Sequence, residues 1–207
     1  QFLLDCQKAW NTTFDGWMVG GDCSKAANVT CDDKGMITAI SLRYSNLNGT
    51  IPDSIGNLAS LRSLILLYNT FTSTIPESIG KLTNLRRLDL WGNTLTGTIP
   101  STLSKLQLLT FLDLSYNHLT GTIPDSLGEL TNLLRLWVVD NNLTGSIPAT
   151  LSKLQSVNFF NLGYNRLTGP LLDSLTTLTN ISGLNLHSNQ FTGPILPGLS
   201  NLPGITD

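Results

Sequence analysis

A 24-residue repeat constrains this chain more than any other feature of its sequence. Seven copies run without an insertion over residues 37–204, and the fourth copy, from Leu109 to Asn132, shows the pattern best. The unit reads L-x-x-L-x-L-x-x-N-x-L-T-G-x-I-P-x-x-L-x-x-L-x-x. One unit of this length cannot bury its own leucines, whereas stacked units bury them in one continuous core. The repeat therefore predicts a solenoid, in which residues 205–207 open an eighth unit.

Each position of the unit has a physical role. The first, fourth, sixth and eleventh positions are apolar, as in Leu85, Leu88, Leu90 and Leu95. This pattern predicts a short strand whose chain then continues inward. Two further apolar positions, the nineteenth and the twenty-second, are spaced as in a 3₁₀ or α turn on the opposite wall. Asparagine fills the ninth position in six copies, where its amide can satisfy backbone groups of its own coil and of the next.

The L-T-G-x-I-P segment at Leu95–Pro100, Leu119–Pro124 and Leu143–Pro148 resembles the plant-type extracellular leucine-rich repeat family. That family includes receptor-kinase ectodomains and inhibitors of cell-wall polygalacturonases. The resemblance covers residues 37–204 and implies an α/β repeat solenoid. In this fold a right-handed superhelix has a parallel concave β-sheet, a 3₁₀ or helical convex side, and recognition on the concave or lateral face. Because one fold supports many functions, the function has to be argued from the site.

Residues 1–36 resemble the N-terminal cap of that family, since Trp17 precedes a short segment from Cys23 to Cys31. A cap would cover the leucines of the first coil. All three cysteines lie here, and the spacing and the resemblance favour a disulfide between Cys23 and Cys31. A Cys6–Cys23 pair that leaves Cys31 free is one alternative, and a partner beyond the ends of the chain is another.

The C-terminal repeats depart from the pattern, because Leu172 and Leu196 stand where proline is expected. No cysteine-bearing cap follows them, so we expect the chain to be a fragment of a longer polypeptide. The alternative is that residues 202–207 close a complete small domain.

Composition and sequons favour an extracellular binding protein. Only 13% of the residues are charged and the net charge is −2, which argues against nucleic-acid binding. No apolar run approaches the roughly 18 residues that a membrane span requires. The sequence predicts a secreted or cell-surface glycoprotein, and its five N-x-S/T sequons are Asn11, Asn28, Asn48, Asn142 and Asn180.

The phase of the repeat predicts which side chains point outward from the concave sheet. Five of the six arginines, all four tyrosines and both tryptophans outside the cap fall on these positions. Aromatic residues and arginine are enriched at binding hot spots. The candidate ligand-binding cluster consists of Tyr68, Arg87, Asp89, Trp91, Phe111, Asp113, Tyr116, Arg135 and Trp137. Packing between neighbouring coils is the alternative role for the tyrosines, whereas exposed tryptophans favour binding.

Other patterns in the sequence carry less weight. Asp89 and Asp113 occupy the same position in adjacent coils, at the separation of about 5 Å found in retaining glycosidases. An open sheet does not exclude water, and Arg87 and Arg135 are near enough to pair with both carboxylates, so we expect no enzyme. His118 and His187 lie far apart in the stack, and we expect neither a metal site nor a cofactor.

A threonine ladder marks one flank of the predicted solenoid. Position twelve is Asn48 and then threonine in six copies, and position fourteen is threonine or serine in the first five. Flat Thr-x-Thr arrays resemble ice-binding surfaces, although threonine is also an ordinary residue of a short second strand.

The sequence thus predicts a recognition module that binds a protein or peptide on its concave face, as a receptor or co-receptor ectodomain does. One alternative is a soluble inhibitor of, or binder to, an extracellular enzyme or cell-wall polysaccharide. Another is a structural or ice-binding protein that uses the threonine flank.

Overall fold

The computed structural model describes residues 28–194 and 197–202. Its main feature is an eight-stranded sheet in which one short strand of each coil pairs in parallel with the next, at a step of 24 residues. Only the first strand, β1, pairs antiparallel, with β2. The strands of this sheet are β1 (Val29–Cys31), β2 (Ile37–Ser41), β4 (Ser63–Ile65), β6 (Arg87–Asp89), β7 (Phe111–Asp113), β8 (Arg135–Trp137), β10 (Phe159–Asn161) and β12 (Gly183–Asn185).

In the described residues, seven 3₁₀ helices form the opposite wall, one for each repeat. In the helices of repeats one to five, a proline precedes the first residue and a leucine follows the last. The helices are Asp53–Asn57, Glu77–Lys81, Ser101–Lys105, Asp125–Glu129, Ala149–Lys153, Asp173–Thr177 and Pro197–Asn201. The predicted parallel sheet and 3₁₀ side of the solenoid are confirmed.

Between these walls, the apolar repeat positions form one continuous core. In the third repeat Leu85, Leu88, Leu90, Leu95 and Leu103 are all completely buried. Each coil thus covers the leucines of its neighbour, and the rigid sheet follows from this stacking.

The asparagines at the ninth position link adjacent coils through their side-chain amides. Asn117 donates to the backbone oxygens of Leu90 in the preceding coil and Leu114 in its own, at 3.0 and 3.1 Å. Its Oδ1 accepts a hydrogen bond from the N–H of Leu95 at 3.0 Å. The predicted bonds to the backbone of its own coil are therefore confirmed, but the other buried backbone partners lie in the preceding coil and not in the next one.

A second, narrower set of strands runs along one flank. It consists of β3 (Asn48–Gly49), β5 (Thr70–Phe71), β9 (Thr144–Gly145), β11 (Arg166–Pro170) and β13 (Gln190–Thr192). Isolated parallel bridges continue it through the intervening coils, for example between Thr98 and Thr120.

Candidate functional site

The concave sheet holds a pocket of about 380 Å³ at its centre. Strands β6, β7 and β8 form its floor, because position five of each repeat points out of the sheet next to its equivalents in the neighbouring coils. Seven of the nine candidate residues line it, namely Arg87, Asp89, Trp91, Phe111, Asp113, Tyr116 and Trp137. The sequence-derived cluster is thus one physical site, although its role in binding stays a prediction.

Two carboxylates occupy the floor of the pocket with different partners. Asp89 is 2% exposed and accepts a hydrogen bond from Arg87 Nη2 at 2.6 Å, which makes a close ion pair. Asp113, its neighbour in the next coil, is 5% exposed and accepts a hydrogen bond from the backbone N–H of Ser115 at 2.9 Å. Within the described residues, Asp113 forms no ion pair.

Burial raises the pKa of Asp113 from 3.8 to about 6. Desolvation disfavours the charged form, and its effect exceeds that of the hydrogen bonds from Ser115, which lower the pKa. The charge of Asp89 raises the pKa further and that of Arg87 lowers it. Asp113 is therefore a desolvated carboxylate at neutral pH, with no ion pair among the described residues to compensate it.

The expectation that Arg135 pairs with the carboxylates is wrong, because its guanidinium lies over aromatic rings instead. It is 5.7 Å from the Trp137 ring centroid and 5.2 Å from that of Phe159. Arg87 covers Phe111 at 3.9 Å while it pairs with Asp89. Cation–π contacts of this kind hold both arginines against the sheet.

The aromatic side chains of the site stack on one another. Tyr68 lies outside the pocket lining and stacks on Trp91, with ring centroids 5.3 Å apart. The Phe111 and Trp137 rings meet edge to face at 5.5 Å. These contacts leave both tryptophans half-buried. The rings are held in place before any ligand arrives.

Four lining residues were absent from the candidate cluster: Leu67, Ser115, Val139 and Asn161. All four fall on outward positions of the repeat phase, so that phase could have found them. The candidate cluster does not include them because it contains only aromatic and charged side chains. Leu134 and Phe159 were also passed over, and both are large apolar side chains exposed to solvent.

Position eight of the repeat carries a backbone feature that the sequence did not reveal. Tyr44, Tyr68, Tyr116, Asp140 and Tyr164 all have positive φ there, between 48° and 55°. Non-glycine residues rarely adopt this left-handed conformation. This conformation makes a sharp turn at the end of each concave strand. The tyrosines lie along the edge of the sheet, where the ring centroids of Tyr44 and Tyr68 are 4.8 Å apart.

The threonine flank is fully exposed and regular. Positions twelve and fourteen present Thr72, Thr74, Thr96, Thr98, Thr120, Thr122, Thr144 and Ser146 to solvent. The γ-methyls of Thr74, Thr98 and Thr122 lie over the glycine of the next coil, where an added Cβ would approach within 2.6–2.8 Å. These glycines therefore keep the row compact, although Pro170 and Pro194 interrupt it.

The predicted glycosylation sites do not line the pocket where they are described. Asn28 and Asn48 are exposed, Asn142 is half-buried, and Asn180 donates its side-chain amide to the Gln155 oxygen at 2.7 Å. Cys31 is disulfide-bonded. Its partner, like Cys6, Cys23, Trp17, Asn11 and residues 203–207, lies outside the described residues, so the Cys23 pairing and the cap stay predictions.

In the part of the chain that the structure describes, no helix is long and apolar enough to cross a membrane. The same part contains no group of three or more His, Cys, Asp and Glu side chains placed to hold a metal ion.

A family model described as a leucine-rich repeat region matches residues 30–201, which include the whole concave sheet except Val29. The chain belongs to the leucine-rich repeat family. No curated protein matches this leucine-rich repeat chain in sequence. Solved structures do match it, and those described below are of two kinds.

Plant receptors form the first kind. The peptide hormone receptor RGFR1, solved in complex with RGF2, has a TM-score of 0.80 and 35% identity, over 82% of this chain and 27% of that one. The ectodomain of the Arabidopsis thaliana receptor kinase GASSHO1/SCHENGEN3, solved with CASPARIAN STRIP INTEGRITY FACTOR 2, has a TM-score of 0.80 and 29% identity. That match covers 98% of this chain and 28% of the other. The chain thus spans little more than a quarter of these receptor structures.

The second kind is a plant ice-binding protein. Its TM-score is 0.82 at 29% identity, and the match covers 92% of this chain and 71% of that one.

Proposed function

We propose that this leucine-rich repeat protein is an extracellular recognition module that binds a protein or peptide on its concave face, in the manner of a receptor or co-receptor ectodomain. The observation that carries the proposal is the central pocket, where aromatic and charged side chains converge around about 380 Å³. The similar receptors RGFR1 and GASSHO1/SCHENGEN3 were solved with RGF2 and CASPARIAN STRIP INTEGRITY FACTOR 2, respectively, which supports a ligand of this class and an extracellular location.

The mechanism is rigid presentation of hot-spot side chains. The strands beneath the pocket are pinned by a continuous core, and its rings already contact one another. A ligand therefore orders few side chains on binding, which reduces the entropic cost of association. Tryptophan and arginine are the residue types that most often dominate such interfaces, and the pocket supplies Trp91, Trp137 and Arg87 within one site.

An array of random synthetic dodecapeptides tests the proposal. The wild-type protein is compared with a variant that carries Trp91→Ala, Phe111→Ala and Trp137→Ala. The control variant carries Lys105→Ala, Glu129→Ala and Thr131→Ala, three exposed changes on or next to the 3₁₀ wall.

We expect peptides that bind the wild type and the control equally and lose at least about 2 kcal/mol of affinity, roughly 30-fold, in the pocket variant. Equal binding by all three proteins would move the site to another face. If no peptide binds, and a separate binding assay with wall polysaccharides or extracellular enzymes gives a signal, the inhibitor or wall-binder alternative is favoured.

A second candidate function is supported by the threonine flank: binding to ice. Exposed hydroxyl and methyl groups repeat there with each coil, at the strand spacing of about 4.8 Å, and glycines keep the surface compact. A plant ice-binding protein is also among the structural matches. Such an array can order water in a fixed two-dimensional pattern, because each threonine offers a hydroxyl beside a methyl group.

Inhibition of ice recrystallisation tests this second candidate. Thr120→Leu combined with Thr122→Leu introduces bulk at the centre of the flank and should abolish inhibition, while the pocket variant should retain it. An inactive wild-type protein, or an active double-leucine variant, would refute ice binding by this flank.

A further inference from the structure

The charges in the concave pocket do not balance. Two carboxylates lie side by side at its floor, where Asp89 and Asp113 are paired across adjacent strands. Arg87 pairs with Asp89 at 2.6 Å and lies over the Phe111 ring, so its charge is already engaged. Arg135, the nearest remaining cation of the candidate cluster, faces aromatic rings. With both aspartates ionised, the lining therefore carries one net negative charge.

Asp113 is the group that lacks compensation. It is buried as deeply as a core side chain, and its hydrogen bonds come from the neutral backbone N–H and side chain of Ser115. A carboxylate in this setting is costly, since desolvation penalises its charge, and its raised pKa agrees. A cation brought within hydrogen-bond distance would restore a favourable environment for the charge.

The walls of the pocket suit a cation on an apolar stem. Trp91, Phe111 and Trp137 line the same pocket as the carboxylates, and tryptophan is the best ring for a cation–π contact. Leu67 and Val139 add apolar surface for the methylene groups of a long side chain. An acidic group would instead meet two carboxylates, and a neutral group would leave Asp113 unpaired.

We propose that the pocket receives a basic side chain, a lysine or arginine of the bound peptide, with its cation held against Asp113 between the aromatic walls. The inference rests on the proposed concave-face function and adds to it the chemical class of the anchoring residue. Asp89 keeps Arg87 in place beside this anchor, so that Arg87 does not neutralise Asp113.

Asp113→Asn is the central variant for the test. Asn161 and Asn185 occupy the same repeat position, and their Oδ1 atoms accept a hydrogen bond from the backbone N–H two residues later, as Asp113 does. The substitution therefore keeps the local hydrogen bond and removes the charge. Because it also creates an N-x-S sequon with Leu114 and Ser115, all variants are produced in a host without N-glycosylation. Asp140→Asn is the matched control, because Asp140 is an exposed residue that does not line the pocket.

The probes are dodecapeptides from the random array, measured by isothermal titration calorimetry. We expect the bound peptides to be enriched in lysine and arginine. Replacing the critical arginine by citrulline, or the critical lysine by norleucine, should weaken binding at least 10-fold to the wild type and to Asp140→Asn. In Asp113→Asn the same replacement should change binding less than 2-fold.

Binding should also weaken as the pH falls from 7.5 to 5, because protonation of Asp113 competes with the cation. Asp89 and Arg87 lie next to this position in both proteins. Any pH dependence of binding that the wild type shows and Asp113→Asn does not show is therefore due to the titration of Asp113.

The outcomes separate the two proposals. Peptides that depend on Trp91, Phe111 and Trp137 but show no preference for basic residues would overturn the basic anchor and leave the proposed function intact. An equal effect of citrulline or norleucine in the wild type and in Asp113→Asn would do the same. Binding that survives the pocket variant, or no peptide binding at all, would overturn both.

Discussion

Removal of the Asp113 charge should stabilise the free protein, which is the reverse of what loss of a polar group in a fold usually does. Asp113→Asn keeps the acceptor for the Ser115 N–H and eliminates a buried carboxylate. The pKa of Asp113 is raised from 3.8 to about 6. Each pKa unit corresponds to 1.36 kcal/mol, so the ionised form costs about 3 kcal/mol in the folded state at neutral pH.

The sign of the pH dependence follows from the same shift. Between pH 3.8 and about 6 the folded protein holds a proton that the unfolded chain has released. Stability from this group is therefore complete below pH 3.8 and is lost as the pH rises through about 6. Asp113→Asn should be more stable than the wild type by about 3 kcal/mol at pH 7.5, and most of the gain should vanish at pH 3.5.

Urea denaturation at several pH values, followed by circular dichroism, measures this difference. For a chain of this size the gain corresponds to a rise in Tm of roughly 6–12 °C at pH 7.5. Asp140→Asn should show little change, because that carboxylate is exposed. A variant that is less stable than the wild type at pH 7.5, or equally stabilised at both pH values, would refute the assignment of an uncompensated charge.

Three further substitutions test the packing of the coils, each by urea denaturation. Asn117→Ala leaves buried backbone groups of two coils without hydrogen-bond partners and should lower the free energy of unfolding by at least about 2 kcal/mol. Gly97→Ala should cost about 1–3 kcal/mol, because φ at this position is +74° and the new Cβ meets the Thr74 methyl group. The second substitution Thr74→Ser removes that methyl group and should recover part of the lost stability. Leu112→Ala opens a cavity beneath the pocket and should cost about 2–5 kcal/mol. A cost below 0.5 kcal/mol for any of the three would contradict its stated contact.

Most of the fold can be predicted from the 24-residue period of the sequence. A 24-residue step between paired strands follows once leucines at fixed positions must cover one another, and the structure shows this step in every coil from β2 onward. Backbone handedness at position eight does not follow from side-chain type. Tyrosine gives no local preference for φ near +50°, so the turn at Tyr68 and Tyr116 is imposed by the coil and not by its own residue.

The site shows a different limit of sequence reasoning. The repeat phase correctly predicts that Arg87, Asp89, Asp113 and Trp137 lie on one surface, because each repeat position faces the same way in every coil of a solenoid. The ion pairs of a side chain, by contrast, do not follow from its repeat position alone. Arg87 and Arg135 occupy equivalent positions in coils that are two apart, yet one forms an ion pair and the other lies over rings. The difference arises at position five, where Asp89 follows Arg87 but Trp137 follows Arg135. In the middle coil position three is Phe111 and not arginine, so Asp113 is left without an ion pair, and this asymmetry within a regular array is the feature that a ligand can recognise.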